Sequence, residues 1–287
     1  MAEPKRLGLA KSILGRITEL FPEVWPVTVW ELDHTLKAMK AFKRKIADDG
    51  SAREHSGTAG YKTTLGSSPN QVSIFNPQII SNILQLYAPP PGSTIYDPFG
   101  GGGTRAITIA SEGYKYIGIE LRAEEVAAVN DRIIATESGE NITLIEGNAM
   151  DPYQVPSECA DMALSCPPYY DMEKYDGGYN DLSMAPDYPT FLSMLRDVID
   201  QTTRILKPGA LSFWIIGLHR DKYGDLLPMH HDLARIHRDL GYHMKEEIVL
   251  YMKNTGSIQR VGNFIKGNRL LVRQHEYCLI FEQPVPF

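Results

Sequence analysis

Four consecutive glycines at 100–103 follow the run Ile95-Tyr-Asp-Pro-Phe99 and precede Thr104 and a helical pattern. Glycine tolerates positive φ and close approach of other backbone. A short strand, a glycine turn and a helix opening directly from it is the reading that this order allows. Such turns sit at the carboxyl ends of strands in parallel α/β sheets, where those sheets bind ligands. A second stretch, Leu164-Ser-Cys-Pro-Pro-Tyr-Tyr-Asp171, reads as a strand that ends in a rigid Pro-Pro turn presenting an aromatic ring. On one sheet the two turns must come together.

The rest of the chain supports that sheet. Strands are predicted at 94–96, 114–120, 142–146, 161–165, 210–217, 245–253 and 276–282, and helices at 77–87, 105–111, 123–137, 188–206 and 230–240. Pro77 suits a first helical turn, and Ile79, Ile80, Ile83, Leu84 and Tyr87 then recur on one face. Alternating strands and helices imply a Rossmann-like, doubly wound, mostly parallel sheet with right-handed crossovers. The last two strands are expected to form an antiparallel hairpin at the sheet edge. Residues 1–50 read as helical, broken at Phe21-Pro-Glu-Val-Trp-Pro26, with Trp25 and Trp30 docking this arm on the main body. Residues 48–72 are rich in Gly, Ser and Thr and read as a loop. The expected division is an arm at 1–70 and one α/β domain at 71–287.

Composition narrows the function classes. No run approaches a membrane span, and the first twenty residues carry charges and no signal-like apolar block. Cys159, Cys166 and Cys278 have neither metal-ligand spacing nor an even disulfide set. A cytoplasmic protein with no metal and no membrane partner is expected. The net charge of -6 argues against coating nucleic acid with the whole surface but leaves room for local basic patches. One candidate is Lys37, Lys40, Lys43, Arg44 and Lys45. The other is the glycine-rich segment with Lys253, Arg260, Lys266, Arg269 and Arg273, which is expected to contact phosphates.

The glycine turn could hold a phosphate at a helix N-terminus, but Asp97 would repel a pyrophosphate and attract an α-amino group. No Lys-Ser or Lys-Thr pair of a nucleotide phosphate loop follows the glycines. Glu120 closes the next predicted strand, where a carboxylate can accept ribose hydroxyls. Asn148 follows the third strand, where a polar side chain can read an adenine edge. An amine, a ribose and an adenine together describe S-adenosylmethionine. The cofactor surface would take in Pro98, Phe99, Gly100, Gly101, Gly103 and Thr104 with Asp97, Leu121 with Glu120, and Ala149 with Asn148.

At the second turn, prolines fix φ and offer carbonyls with no competing local N–H. Pro167 and Pro168 can therefore present an acceptor to an exocyclic amine, while Tyr169 supplies a flat face. The lone pair of a nucleobase amine is delocalised into the ring. Two hydrogen bonds from its N–H groups to fixed acceptors would pull the nitrogen toward tetrahedral geometry. Reaching a base in duplex DNA requires flipping it out.

These residues carry a resemblance. Asp97-Pro-Phe-Gly-Gly-Gly-Gly-Thr104 followed by Cys166-Pro-Pro-Tyr169 resembles the amino-directed DNA methyltransferases, which methylate N6 of adenine or N4 of cytosine. It looks most like a phage-associated branch with Ser-Cys-Pro-Pro-Tyr. The resemblance extends to Gly118-Ile-Glu-Leu-Arg122, Leu206-Lys-Pro-Gly209, Gly256-Ser257 and His275-Glu-Tyr-Cys-Leu-Ile-Phe281. It implies that Asp97 and the glycines hold the methionine part, Glu120 the ribose, and Pro167 and Tyr169 the target base. The helix beginning at Asn76 is implied to touch the cofactor. Double-stranded DNA is the implied partner, and a homodimer is compatible with it.

One departure bears on chemistry. Relatives place an oxygen acceptor before Pro-Pro, whereas Cys166 offers a thiol, a weak acceptor. Asp171 is a candidate for the second acceptor. Cys166 also raises attack on C6 of a pyrimidine, which would activate C5, although C5 enzymes carry the cysteine after the proline. An RNA methyltransferase of the guanine-N2 type and a non-catalytic nucleic-acid-binding relative complete the alternatives.

Overall fold

The computed structural model describes residues 27–33, 75–134, 139–171, 175, 177–221, 223–253, 267, 271 and 273–285. The strands are β1 (Val29–Asp33), β2 (Thr94–Asp97), β3 (Lys115–Glu120), β4 (Ile142–Glu146), β5 (Ala160–Ser165), β6 (Leu206–Ile216), β7 (His243–Lys253) and β8 (His275–Glu282). Between them lie helices α1 (Pro77–Tyr87), α2 (Thr104–Ser111), α3 (Ala123–Ile134), α4 (Tyr188–Ile205) and α5 (Met229–Asp239). All eight strands form one sheet in the order β1-β7-β8-β6-β5-β2-β3-β4. Among these strands, only the pairings of β8 with β6 and with β7 are antiparallel.

Apolar side chains cover both faces of the sheet, as a mostly parallel sheet requires. On one face Ile79, Ile80 and Ile83 of α1 and Ala106 and Ile109 of α2 meet Ile95, Leu164, Phe213 and Ile280. On the other, Phe191, Leu195 and Val198 of α4 and Leu233 and Ile236 of α5 meet Tyr96, Trp214 and Phe281. Asn76 caps α1 by accepting from the Gln78 amide at 3.0 Å. Asp187 caps α4 by accepting from the Thr190 amide.

Two expectations are corrected. Val29–Asp33 was expected to be helical and is a strand paired in parallel with β7. Its burial alternates: Trp30 and Leu32 enter the core, while Val29 and Glu31 face out. That is the period of a strand, carried by residues that favour one, but the run is short. Trp30 does pack on the main body, as a strand residue. The antiparallel pair β7–β8 is present but not at the edge, because β8 inserts between β6 and β7 and β1 lies outside both. The rest of the predicted arm, with Trp25, the loop at 48–72, the boundary near residue 70 and the lysine-rich run at 37–45, lies outside the described residues.

The chain runs from β2 to β3 and β4 on one side, then returns to β5 on the other side of β2. The strand order therefore reverses between β2 and β5. Crevices at such switch points are where open α/β sheets bind ligands.

Candidate active site

The two motifs flank that crevice. Tyr96 of β2 lies beside Ala163 of β5 in the register, so the turns after Asp97 and Ser165 leave the sheet side by side. A buried hydrogen bond joins them: the Ser165 hydroxyl donates to Asp97 Oδ1 at 2.7 Å.

Asp97 is fully buried, and its two oxygens meet four donors. Oδ1 accepts from Ser165 and from the Phe99 amide at 3.0 Å. Oδ2 accepts from Arg105 Nε at 2.6 Å and from the Tyr116 hydroxyl at 3.0 Å. Arg105 also donates to the Phe99 carbonyl. Burial alone would lower the Arg105 pKa, but Asp97 beside it raises it overall, so the pair is a buried ion pair. Burial, then Asp97, pushes the Tyr116 hydroxyl well above its ordinary range. A carboxylate has about four acceptor positions. Here the protein's own donors occupy these positions and hold the turn. Arg105, Tyr116 and Ser165 were missed from sequence. One signal was available, since a basic residue in the first turn of a helix opposes the helix dipole and calls for a carboxylate partner.

Two positions of the turn leave no room for a side chain. A Cβ on Gly100 would come within 2.7 Å of Leu144 Cδ1, and one on Gly103 within 2.8 Å of Val129 Cγ1. Gly103 also adopts φ 81° as the N-cap of α2, with no side-chain cap, so the first amides of α2 face the crevice mouth unclaimed by a capping side chain. Pro98 and Thr104 are buried, and Phe99 packs on the α4 face of the core.

Glu120 ends β3 almost buried. One oxygen accepts from the Gly101 amide at 3.0 Å, the other from the Arg122 amide at 3.0 Å. Burial raises its pKa against the pull of those amides and of Arg122. Unlike Asp97, it retains acceptor capacity. Asn148 Oδ1 accepts from the Met150 amide at 3.0 Å, which leaves its NH2 group as the end available to a ligand. Ala149 is buried beside it. Leu121 is half-buried, and Gly177 packs so close to it that a Cβ there would lie 2.8 Å from Leu121 Cδ2. The Tyr175 ring lies 5.5 Å from the Arg122 guanidinium. Tyr175 and the segment at 177–184, tied by Asp181 to the amides of Gly177 and Ser183, thus cover the Glu120 corner. No sequence motif marked it.

Asn76 is 3% exposed and its NH2 group has no hydrogen-bond partner. Its neighbour Phe75 places its ring 5.0 Å from the Arg105 guanidinium, so this buried donor sits by the glycine turn.

Across the crevice, Tyr169 is half-buried and its hydroxyl accepts from the Gly217 amide at 2.8 Å. Gly217 follows β6, and a Cβ there would lie 3.0 to 3.2 Å from the Tyr169 ring. Pro167 is buried and Pro168 half-buried. Cys166 is half-buried, in no disulfide, and close enough to Arg105 to raise its pKa. Asp171 is exposed at φ 54°, a left-handed conformation that Asp tolerates better than most residues. Beyond Tyr169, Tyr277 pairs with Ile216 of β6, and His230 stacks on Tyr277 at 4.6 Å. Burial, with His231 nearby, lowers the His230 pKa to about 4. Arg273 donates to the Leu218 carbonyl at 3.0 Å, and burial followed by repulsion from Arg220 lowers its pKa. Arg260, Lys266 and Arg269, with the Gly256-Ser257 pair, lie outside the described residues. Among the described residues no cluster of three or more His, Cys, Asp or Glu could hold a metal, and no helix is long and apolar enough to cross a membrane.

The sheet order, the single antiparallel strand and the crevice at the β2–β5 switch are the Rossmann-like fold of the S-adenosylmethionine-dependent methyltransferases. Solved structures with this fold include the [4+2]-cyclase SpnF, at TM-score 0.54 and 15% identity over 85% of this chain and 96% of that one. TrmN from Thermus thermophilus superposes at TM-score 0.51 with 16% identity, covering 76% of this chain and 55% of that one. The chain thus spans about half the length of TrmN. Geranyl diphosphate methyltransferase in complex with GPP and sinefungin gives TM-score 0.50 and 16% identity, over 73% of this chain and 79% of that one. More particularly, residues 22–131 match the model of the N6/N4 methyltransferase family, a DNA methylase. No curated protein matches the chain.

Proposed function

We propose that this protein is an S-adenosylmethionine-dependent DNA methyltransferase acting on the exocyclic amine of a flipped base, N6 of adenine or N4 of cytosine. The observation that carries the reading is the Ser165–Asp97 bond at the strand-order reversal. It sets a glycine turn suited to the cofactor edge to edge with a Pro-Pro-Tyr turn suited to a base. The DNA methylase match over residues 22–131 supports the same substrate class.

The residues present fit the cofactor. Gly100 and Gly103 keep the turn packed against Leu144 and Val129, a close approach that a Cβ at either would prevent. The unpaired Asn76 NH2 group and the uncapped amides of α2 suit its carboxylate. Glu120 has acceptor capacity for ribose hydroxyls, and Asn148 a free amide end for adenine. When bound, S-adenosylmethionine would supply its sulfonium methyl to the amine nitrogen, the S–C electron pair staying on sulfur and the nitrogen releasing one proton to solvent. The chain's own part is positioning, which accounts for much of the rate in such transfers. The Pro167 carbonyl accepts from the amine, and Tyr169, anchored by Gly217, stacks on the base. Cys166 is not a nucleophile in this reading. A cytoplasmic setting and double-stranded DNA as partner belong to the same proposal.

The test is to incubate the protein with S-adenosylmethionine and unmethylated DNA or RNA, hydrolyse the products and identify methylated nucleosides by mass spectrometry. N6-methyladenine or N4-methylcytosine in DNA is the expected product. Methylguanine in RNA, or 5-methylcytosine, would replace this reading with one of its alternatives.

A further inference from the structure

The amino-methylation reading asks for two fixed acceptors, one for each N–H of the target amine. The Pro167 carbonyl is one. Cys166 stands where the second is needed, and a thiol accepts hydrogen bonds weakly. Asp171 is exposed, so water competes for its carboxylate.

His219 has the properties that both lack. It is 6% exposed, and neither ring nitrogen has a hydrogen-bond partner. Unsatisfied buried polar groups are rare in folded proteins and call for an explanation. Another buried histidine shows what a purely structural one looks like here. His237 bonds the Leu233 carbonyl through Nδ1 at 2.9 Å, leaves Nε2 without a partner and stacks on Phe281 at 3.8 Å. Among the described residues His219 has no aromatic stack, and the Tyr170 carbonyl, which faces its ring, falls short of a full hydrogen bond.

Its place is at the base side of the crevice. Gly217, which anchors the Tyr169 hydroxyl, lies two residues earlier. The backbone is pinned on both sides: the Leu227 amide donates to the His219 carbonyl at 3.1 Å, and Arg273 donates to the Leu218 carbonyl. The groups facing the imidazole are the Tyr170 carbonyl, the carboxylates of Asp171 and Asp221, and the Arg273 guanidinium. Burial outweighs the carbonyl and carboxylates and lowers the pKa, so the ring is neutral. The Tyr170 carbonyl, which can only accept, approaches the ring outside full hydrogen-bond geometry. It favours the tautomer with N–H on that side, and the other nitrogen then carries a lone pair.

We propose that His219 is the second acceptor for the amine of the target base, supplying through a ring nitrogen the hydrogen bond that Cys166 is chemically unsuited to make. The proposal rests on the amino-methylation reading. It explains how a chain with cysteine before Pro-Pro can hold an amine with both N–H groups engaged. Cys166 and His219 form one functional unit, and an oxygen acceptor at 166 makes His219 dispensable.

The test compares turnover on DNA, cofactor affinity by calorimetry and thermal melting for the full chain and four variants: His219→Phe, His219→Gln, Cys166→Asn and the double variant Cys166→Asn/His219→Phe. Losing one charge-stabilising contact in a transition state costs on the order of a hundredfold, and that loss in turnover is expected for His219→Phe, with cofactor affinity unchanged. His219→Gln keeps an acceptor and recovers part of the activity. It also removes the loss of turnover on acidification that protonating His219 causes. The double variant regains activity over His219→Phe alone, which a merely structural histidine would not allow. If His219→Phe fails to fold, His219→Gln on the wild-type and Cys166→Asn backgrounds carries the comparison: its deficit should vanish in the second. Wild-type turnover in His219→Phe, or a deficit that an acceptor at 166 leaves untouched, overturns the proposal alone. A wild-type enzyme that methylates no amine overturns the reading beneath it.

Discussion

The two sides of the crevice are built on opposite principles. At the end of β2 every acceptor is filled: Asp97 meets four donors, and Arg105 is paired and buried. At the ends of β5 and β6 hydrogen-bonding capacity is left over: neither ring nitrogen of the buried His219 makes a full hydrogen bond, while the Tyr169 hydroxyl accepts from the Gly217 amide. The first arrangement is rigid before any ligand arrives. The second keeps hydrogen-bonding capacity for something not yet there. The filled carboxylate fixes the turn beside which the open cofactor groups stand, whereas a corner that captures an extruded base must itself keep unmet acceptors.

The strongest way to break this contrast is Arg105→Met. It leaves the Asp97 carboxylate buried without its cation, which typically costs 3–5 kcal/mol. Urea unfolding should show a loss of about that size, with cofactor affinity by calorimetry falling together with stability. Asp97→Asn, which keeps the shape, should cost less. If Arg105→Met is silent, the filled corner is not structural. On the other side, Tyr169→Ala should act on turnover and not on the fold. Stacking is worth roughly 1–3 kcal/mol per base, so a tenfold to hundredfold or larger loss in methylation is expected, at nearly unchanged cofactor affinity and melting temperature.

Acid should separate the corners without mutation. His230 stacks on Tyr277 at the edge of the base side, and burial holds its pKa at about 4, against roughly 6.5 for a free imidazole. A depressed histidine pKa means that the opened state binds the proton first. Stability from His230 is therefore full above pH about 6.5 and declines as the pH falls toward about 4. His219, lowered in the same direction, adds to this. Amide exchange should accelerate at 217–219 across that window before it does at 100–104. Equal acceleration would mean that the two corners open as one unit.

Two smaller effects refine the picture. Cys166→Ser should keep or raise methylation, because a hydroxyl is the better acceptor. Complete loss in a folded variant that still binds cofactor, with a 5-fluoropyrimidine substrate trapping the wild type, would favour the pyrimidine-C5 alternative. Arg273→Gln should weaken DNA binding slightly and change its salt slope by about one if the guanidinium touches a phosphate. An unchanged slope would leave Arg273 as the clamp on the Leu218 carbonyl that the structure shows.

The readable part of the site was the part carried by local backbone rules. Glycines, prolines and the strand–turn–helix rhythm are local signals, so the turns at 100–103 and 166–169 and the order of the elements could be placed from sequence. Side-chain pairing between distant segments has no such signature. Nothing near Asp97 in the sequence says that Ser165 will donate to it, and nothing near Cys166 points to His219. Val29–Asp33 was lost for a related reason, since so short a strand is defined by the partner it meets.

That partner gives the strand its further consequence. Val29–Asp33 comes early in the sequence and completes the sheet only by docking on β7, which comes late. Synthesis proceeds from the N-terminus, so among the described strands the earliest in the sequence waits for nearly the last, and this pairing is the least local in the sheet. Contacts of that kind are slow to form. Until this one does, the outer edge of β7 presents unpaired amides and carbonyls to any passing strand. The segment is thus a late-closing seam, and trimming the chain at its front would open the sheet at its far side.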